Sequence, residues 1–313
     1  MIKTLTYNQI DPQQWSELLQ SSPTATWFQT DEAYRFYQSV SGMQAFVYGV
    51  VEEGRLVGVI AGYITKEKNP IKQYFTRRAI IYGGPLLAED ATDETVATLL
   101  KAVTITSRLS PFASRPIFIE SRNFHDYLRW RSIFEANGFA YQQHLDYHIN
   151  TTNLELAQSN IGKHRWRYIR LSMRDGAQII ETPTIEQVRA FYNILVDLYT
   201  TKVRTPLWSW EFFEQLYHVE NAKYILVELD GQIVGGTVCV CLPGKAIYEW
   251  YVCGMDEEYR ELYPSVVATH AAIEYAKQNN IPLFDFMGAG EPDIPYGVRD
   301  FKMEFGGELV EHG

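Results

Sequence analysis

One hexapeptide pattern occurs twice in this chain, and the repetition limits the possible folds more than any single motif. Glu53-Gly-Arg-Leu-Val-Gly58 returns as Asp230-Gly-Gln-Ile-Val-Gly235, each copy inside an apolar, β-branched stretch. An acidic-Gly pair between such runs predicts a β-hairpin turn. Further along, Ala79-Ile-Ile-Tyr-Gly-Gly84 aligns with Ala246-Ile-Tyr-Glu-Trp-Tyr251. Each half then enters a helical period. Asp93 and Glu94 precede Val96, Leu99, Leu100 and Val103, while Pro264 and Ser265 precede Val266, Val267, Ala271, Ile273 and Tyr275. A short apolar strand opening on Pro follows each helix, Pro116-Ile-Phe-Ile-Glu120 and Pro282-Leu-Phe-Asp-Phe286. Hairpin, strand, helix and strand therefore recur in one order at a nearly constant offset. The sequence predicts an α/β (α+β) protein of two similar modules, 1–152 and 153–313, with mixed sheets flanked by helices. No Pro- or Ser-rich linker separates them, so packed modules with a ligand cleft between them are expected.

The bulk properties agree with two globular modules. The chain has 313 residues, 46% of them apolar, and a net charge of −10. That charge excludes binding to nucleic acid or anionic membrane by global attraction and leaves only local basic patches for such partners. Cys239, Cys241 and Cys253 have no zinc-type spacing; Cys239 and Cys241 are expected to pack on one sheet face, and the compartment is expected to be reducing. The amino terminus lacks a signal-peptide pattern, and no apolar run reaches the ~20 residues that cross a bilayer. A cytoplasmic location is the expectation.

The segment Pro295-Tyr-Gly-Val-Arg-Asp-Phe-Lys-Met-Glu-Phe-Gly-Gly307 carries most of the chemistry. A Pro/Gly turn delivers Arg299, Phe301 and Lys302 beside the end of an apolar strand, Ile281-Pro-Leu-Phe-Asp-Phe-Met287. A cation fixed there suits an anion or the developing charge of a reaction. The pattern Arg-x-Phe-Lys-x-x-Phe-Gly-Gly at the end of two tandem modules resembles the Fem family of peptidoglycan bridge-forming aminoacyltransferases, built from two acetyltransferase-like (GNAT) domains. Leu262-Tyr-Pro-Ser265 and Phe284-Asp-Phe286 belong to the same likeness, which is best from Tyr248 to Glu311.

The resemblance implies an aminoacyl-tRNA donor, the amine of a cell-wall precursor as acceptor, and no cofactor. It makes Lys302 the group beside the transferred acyl, with Phe301 as its aromatic neighbour, and the ammonium is expected to project into the cleft. Replacing Lys302 by Ala is then expected to slow transfer with little loss of fold. Glu120 stands where the family places an Asp near the acceptor amine; the other reading is a salt bridge with Arg122. Arg204 and Trp208 fall where the family supplies an Arg and a Tyr to the precursor's diphosphate, with Trp here in place of the phenol. Tyr251, and with it Tyr248, matches precursor-contacting positions. Tyr296 and Arg299 would face the cleft, Arg299 holding an anion or pairing with Asp300 or Glu304. The family's lysine in the early helix has no match around Gln29 to Tyr37.

One basic feature stands out from the acidic background. On a helix over Lys163–Arg174, Lys163, Arg167, Arg170 and Arg174 fall within about 60° of one another, beside an apolar stripe of Trp166, Ile169 and Met173. This ridge is the candidate contact for tRNA phosphates; the alternative is a solvated amphipathic face. His144, Asp146 and His148 alternate along one strand face, which is read as wet and not as a metal site. No metal-ligand motif, Gly-x-Ser-x-Gly or Cys/His pairing signal is present, nor an Arg/Gln-x-x-Gly-x-Gly/Ala loop for the pyrophosphate of CoA. A donor switched to acyl-CoA or acyl carrier protein, and a non-catalytic relative that only binds the precursor, are the competing readings.

Overall fold

The computed structural model describes residues 2–66, 76–109, 116–153 and 161–313. The chain divides into two compact units, Met1–Gln143 with His312–Gly313, and His144–Glu311. Part of the junction expected from the repeat, 154–160, lies outside the described residues.

The first unit contains β1 (Ile2–Thr6), α1 (Pro12–Ser21), α2 (Asp31–Ser39), β2 (Met43–Glu52), β3 (Arg55–Thr65) and β4 (Arg78–Tyr82). It continues through β5 (Leu86–Leu87), α3 (Asp93–Leu109), β6 (Phe118–Arg122) and α4 (Arg131–Ala136). Its sheet runs β1-β2-β3-β4-β6, with β5 also on β3. The second unit opens with β7 (His144–Asn150), α5 (Lys163–Arg174), β8 (Gln178–Ile180), α6 (Ile185–Leu198) and α7 (Trp210–Tyr217). Then come β9 (Ala222–Leu229), β10 (Gln232–Leu242), β11 (Ala246–Gly254), α8 (Pro264–Gln278), β12 (Leu283–Asp285), α9 (Gly297–Met303) and β13 (Glu308–His312). Its sheet runs β13-β7-β12-β11-β10-β9-β8.

The repeat is visible in the pairing. In both units an antiparallel hairpin leads to a strand that is antiparallel to the hairpin and parallel to the strand after the long helix: β2-β3-β4-β6 and β9-β10-β11-β12. Both hairpin turns use two residues with positive φ. These are Glu53 (+51°) with Gly54 (+85°), and Asp230 (+50°) with Gly231 (+79°). Such turns match the twist of the flanking strands, and the glycine takes its left-handed position without cost. A bulge then shifts the register near each turn, at Val50/Val51 and at Ile233/Gly235.

One expectation needs correction. Strand β7, given to the first module by the repeat, pairs antiparallel with β12 and lies between β12 and β13 in the second sheet. Its partner is set by distant strands, which chain adjacency does not reveal. The segment around Lys302 folds as a helix, α9. On the second sheet Leu145, Tyr147, Ile149 and Phe284 pack with Ile273 and Ala276 of α8 in one core.

Candidate functional site

Helix α9 turns Lys302 inward. The side chain keeps 7% of its exposure, and its Nζ donates to the carbonyls of Phe286, at 2.6 Å, and of Gly288. These carbonyls cap the end of β12, where a buried strand finishes. Lys302 is therefore not a side chain extended into open solvent.

Three carboxyl groups and an imidazole surround this corner. Asp285 and His148 are register partners on β12 and β7, and His148 Nε2 lies 3.3 Å from Asp285 Oδ2. Asp285 Oδ1 accepts the Met287 N–H at 2.6 Å. Asp146, two residues before His148, is 3% exposed and His148 is half-buried, so of the three alternating residues only His144 is wet. Burial and the neighbouring Asp285 charge push Asp146 well above the usual carboxylate range. Burial works against ionised Asp285 too, but His148, Asp146 and the Met287 amide hold it below that range. Burial pulls Lys302 below the ordinary lysine value, opposed by Asp146, Glu249 and Asp285.

Asp146, His148 and Asp285 also place one ligand atom each within 4.8 Å of one another. Lys302 is the cation that bears electrostatically on both Asp146 and Asp285.

Glu249, on β11, is the third carboxyl. It is 4% exposed, accepts the Thr269 hydroxyl at 2.8 Å, and burial raises its pKa to about 7. Its folded-state value exceeds its unfolded one, so its stabilising contribution is present at acid pH and fades as pH rises through about 7. The loss between pH 6 and pH 8 comes to about 1 kcal/mol. Glu249→Gln removes this term. Thermal unfolding at both pH values is expected to show a smaller drop for the variant than for the parent, and an equal drop contradicts the assignment.

Phe301 is half-buried and meets Phe305 edge-on at 5.3 Å. Over it lies Arg165 of α5, a residue sequence reading passed over. Its guanidinium carbon is 4.5 Å from the Phe301 ring centre and 5.4 Å from that of Phe305, and its Nε is 2.8 Å from Glu304. Lys163, Arg167, Arg170 and Arg174 all lie on the exposed side of α5, with Ile169 and Ser172 inward. Arg174 pairs with Asp175 at 2.7 Å. Met173, expected in the apolar stripe, is 51% exposed.

Other candidates find different partners from those expected. Arg299 donates to the main-chain carbonyls of Ala289, Pro292 and Glu291, and not to Asp300 or Glu304. It locks the loop before α9. Tyr296 is half-exposed, with its ring against Gly290. Glu120, in the first unit, is held by Arg122 at 2.5 Å and lies 3.6 Å from Arg78. That is the salt bridge left open by the sequence, with a second guanidinium added. Tyr248 is 1% exposed and belongs to the core, so it is not an open contact residue.

Arg204, Tyr251 and Trp208 form a second cluster. The chain leaves α6 through a π-helical turn, Tyr199–Val203, and Arg204 follows with φ +57°. A cavity of about 520 Å³ lies here, lined by Tyr192, Tyr199, Thr200, Arg204, Thr205 and Leu207. Trp208 stacks on Phe212 at 5.6 Å, and Tyr251 packs edge-on to Phe213 at 5.2 Å and near Tyr199 at 6.2 Å. A π-turn and a left-handed arginine beside a concave surface are features of ligand sites. At the start of α8, Asp256 accepts both the amide and the hydroxyl of Ser265. An internal carboxylate thus occupies the helix N-terminus that would otherwise be open to a phosphate.

Comparison with known proteins agrees with this architecture. Residues 163–303 match the family model of the acetyltransferase (GNAT) domain. No curated protein matches the sequence. Among solved structures, FemX superposes with a TM-score of 0.73 at 15% identity, covering 99% of this chain and 96% of its own. A tandem GNAT protein from the clavulanic acid biosynthesis pathway (without AcCoA) gives 0.59 at 11% identity, with 99% and 96% covered. L-PGS from Bacillus licheniformis gives 0.57 at 12% identity, with 96% and 89% covered. At these identities the likeness is one of fold.

Proposed function

We propose that this chain, whose residues 163–303 match the acetyltransferase (GNAT) domain and whose fold is like that of FemX, transfers an aminoacyl group from aminoacyl-tRNA to an amine of a cell-wall precursor. The observation that carries the reading is Lys302. An ammonium has three N–H donors; two go to the Phe286 and Gly288 carbonyls, which leaves the third for a substrate oxygen. In the reaction the amine nitrogen adds to the ester carbonyl and Lys302 stabilises the oxyanion. Collapse breaks the C–O bond to the ribose, and the amine's proton ends on the departing hydroxyl. Positioning and charge suffice for such a step, so no nucleophile or metal is required.

The Arg204 cavity suits the anionic part of the acceptor, with the guanidinium on phosphate and the tyrosines against sugar or peptide. The exposed ridge of Lys163, Arg167, Arg170 and Arg174 suits the donor's phosphates. The second reading keeps the fold and changes the donor to acyl-CoA, and it is favoured by the description of the clavulanic-pathway neighbour. Against it stands Asp256 at the head of α8.

The deciding experiment incubates the protein with radiolabelled aminoacyl-tRNAs, or with labelled acyl-CoAs, and a set of cell-wall precursors. Labelled precursor formed from aminoacyl-tRNA alone is expected, with Arg204→Ala weakening precursor binding by about tenfold or more. Label moving only from acyl-CoA replaces this reading with the second, and saturable precursor binding without product from any donor leaves a binding protein.

A further inference from the structure

Asp285 leaves one oxygen unanswered in the protein interior. The residue is fully buried at the end of β12, and its Oδ1 accepts the Met287 N–H at 2.6 Å. Its Oδ2 is buried too and finds no hydrogen-bond partner among the described residues. A carboxylate oxygen in that position is costly unless something meets it. Lys302 does not, because its hydrogen bonds go to the Phe286 and Gly288 carbonyls.

Two further ligand atoms converge on this oxygen. His148 stands opposite Asp285 in the register of β7 on β12, with Nε2 3.3 Å from Oδ2. Asp146 lies two residues earlier on the same face of β7 and is 3% exposed. Asp146, His148 and Asp285 each bring one ligand atom within 4.8 Å of the other two. Zinc holds imidazole nitrogen and carboxylate oxygen at about 2.0–2.2 Å, so two ligands at the tetrahedral angle stand about 3.4 Å apart. His148 and Asp285 already have that spacing. Asp146 has to close by about 1.4 Å at most, which rotation about its own side-chain bonds can supply. Both carboxyls are braced by the main chain, as ligating carboxylates usually are: Met287 holds Asp285, and Tyr147 donates its N–H to Asp146 Oδ1 at 2.7 Å.

We propose that Asp146, His148 and Asp285 form a binding site for a zinc-class divalent cation, with a fourth position left for water or another ligand. One nitrogen and two oxygens suit Zn²⁺ or Mn²⁺, whereas Mg²⁺ and Ca²⁺ favour larger sets of oxygen alone. Two acids this close inside a protein need a proton or a cation between them. A proton would account for the acids and leave the imidazole at ligand spacing unexplained. The charged groups around the site are Lys302 and, on β11, Glu249. Three carboxyls against one ammonium leave room for a dication. The ion would clamp β7 to β12 beside the carbonyls that hold Lys302. This inference does not depend on the acyl-transfer reading.

The test strips the full chain with EDTA and titrates it with Zn²⁺ by calorimetry, alongside His148→Gln, Asp285→Asn and His218→Gln. His218 is an exposed histidine far along the chain from the site and serves as the control for surface coordination. The parent and H218Q are expected to bind one equivalent with a micromolar or tighter Kd. H148Q and D285N should lose about 100-fold or more in affinity. Zn²⁺ should raise the melting temperature of the parent and not that of H148Q. Co²⁺ in place of Zn²⁺ should give the visible absorption of a tetrahedral site in the parent alone of that pair.

If D285N does not fold, H148Q decides, because the His148 side chain is 16% exposed and packs less tightly than the two acids. Imidazole nitrogen NMR of the parent adds an independent measurement. One of the seven histidines should shift with one equivalent of Zn²⁺, and its signal should be the one missing from H148Q. No binding by the parent means that a proton alone joins the two acids, and overturns the proposal. Parental affinity in H148Q, or an equal loss in H218Q, overturns it as surface coordination.

Discussion

Replacing Lys302 by Met is expected to slow acyl transfer by about 10²–10³-fold, the usual consequence of removing one donor to a developing oxyanion. Met keeps most of the aliphatic stem that packs beside Phe286 and loses the ammonium. Its cost to stability will not be small, contrary to what sequence alone suggests. Lys302 is buried and lies within electrostatic reach of Asp146, Glu249 and Asp285. Removing it strands the ionised Asp285 and leaves two carbonyls without their donor, a loss of about 3–5 kcal/mol. The same burial sets the pH dependence. The ammonium is the required form and burial lowers its pKa, so activity should fail on the alkaline side at a lower pH than an exposed lysine would give. Single-turnover transfer and denaturant unfolding of the same preparation check both halves. A K302M protein with parental turnover removes Lys302 from the chemistry, whatever its stability.

That correction shows where sequence reading works and where it stops. The hairpin turns at Glu53-Gly54 and Asp230-Gly231 were legible because the turn type is decided by two adjacent residues. The strand and helix order was legible because periodicity is local and the chain states it twice. The partner of β7 was not, since strand pairing is decided by residues some 135 positions away, as in Ile149 opposite Phe284. The alternation of His144, Asp146 and His148 reads as a solvated face by the same local logic. Pairing on both edges of β7 accompanies a buried Asp146, whose burial disfavours its charged form. Lys302 could be singled out from its motif, but not its surroundings, which come from four separate elements. One signal was available and unused. Asp285 within Leu283-Phe-Asp-Phe286 and Glu249 within Ala246-Ile-Tyr-Glu-Trp250 are acids in apolar strands, which fold only if something inside answers their charge.

Helix α9 escaped notice for a related reason, and its dependence on Arg165 is a prediction in itself. Seven residues are too few for a helix to hold alone in water, and Tyr296 offers no side-chain cap. What holds it is Arg165, which lies over Phe301 and Phe305, reaches the Phe301 carbonyl at 3.4 Å and pairs with Glu304 at 2.8 Å. Arg165→Ala should therefore cost about 2–3 kcal/mol, mostly from the lost stacking and hydrogen bonding over the two rings. The ion pair adds less, because the Glu304 side chain is 45% exposed. Glu304→Ala is expected to cost under about 1 kcal/mol by the same argument. Lys in place of Arg165 should rescue little, since an ammonium lacks the flat fork that covers one ring while bonding past it. Transfer should fall by about 10–100-fold in R165A, as a frayed α9 lets Lys302 drift from the Phe286 and Gly288 carbonyls. Hydrogen exchange of the amides from 299 to 305 separates this from general loosening. These amides should lose protection in R165A ahead of those in α8, and a uniform loss across the second unit would show that Arg165 supports the core and not the helix.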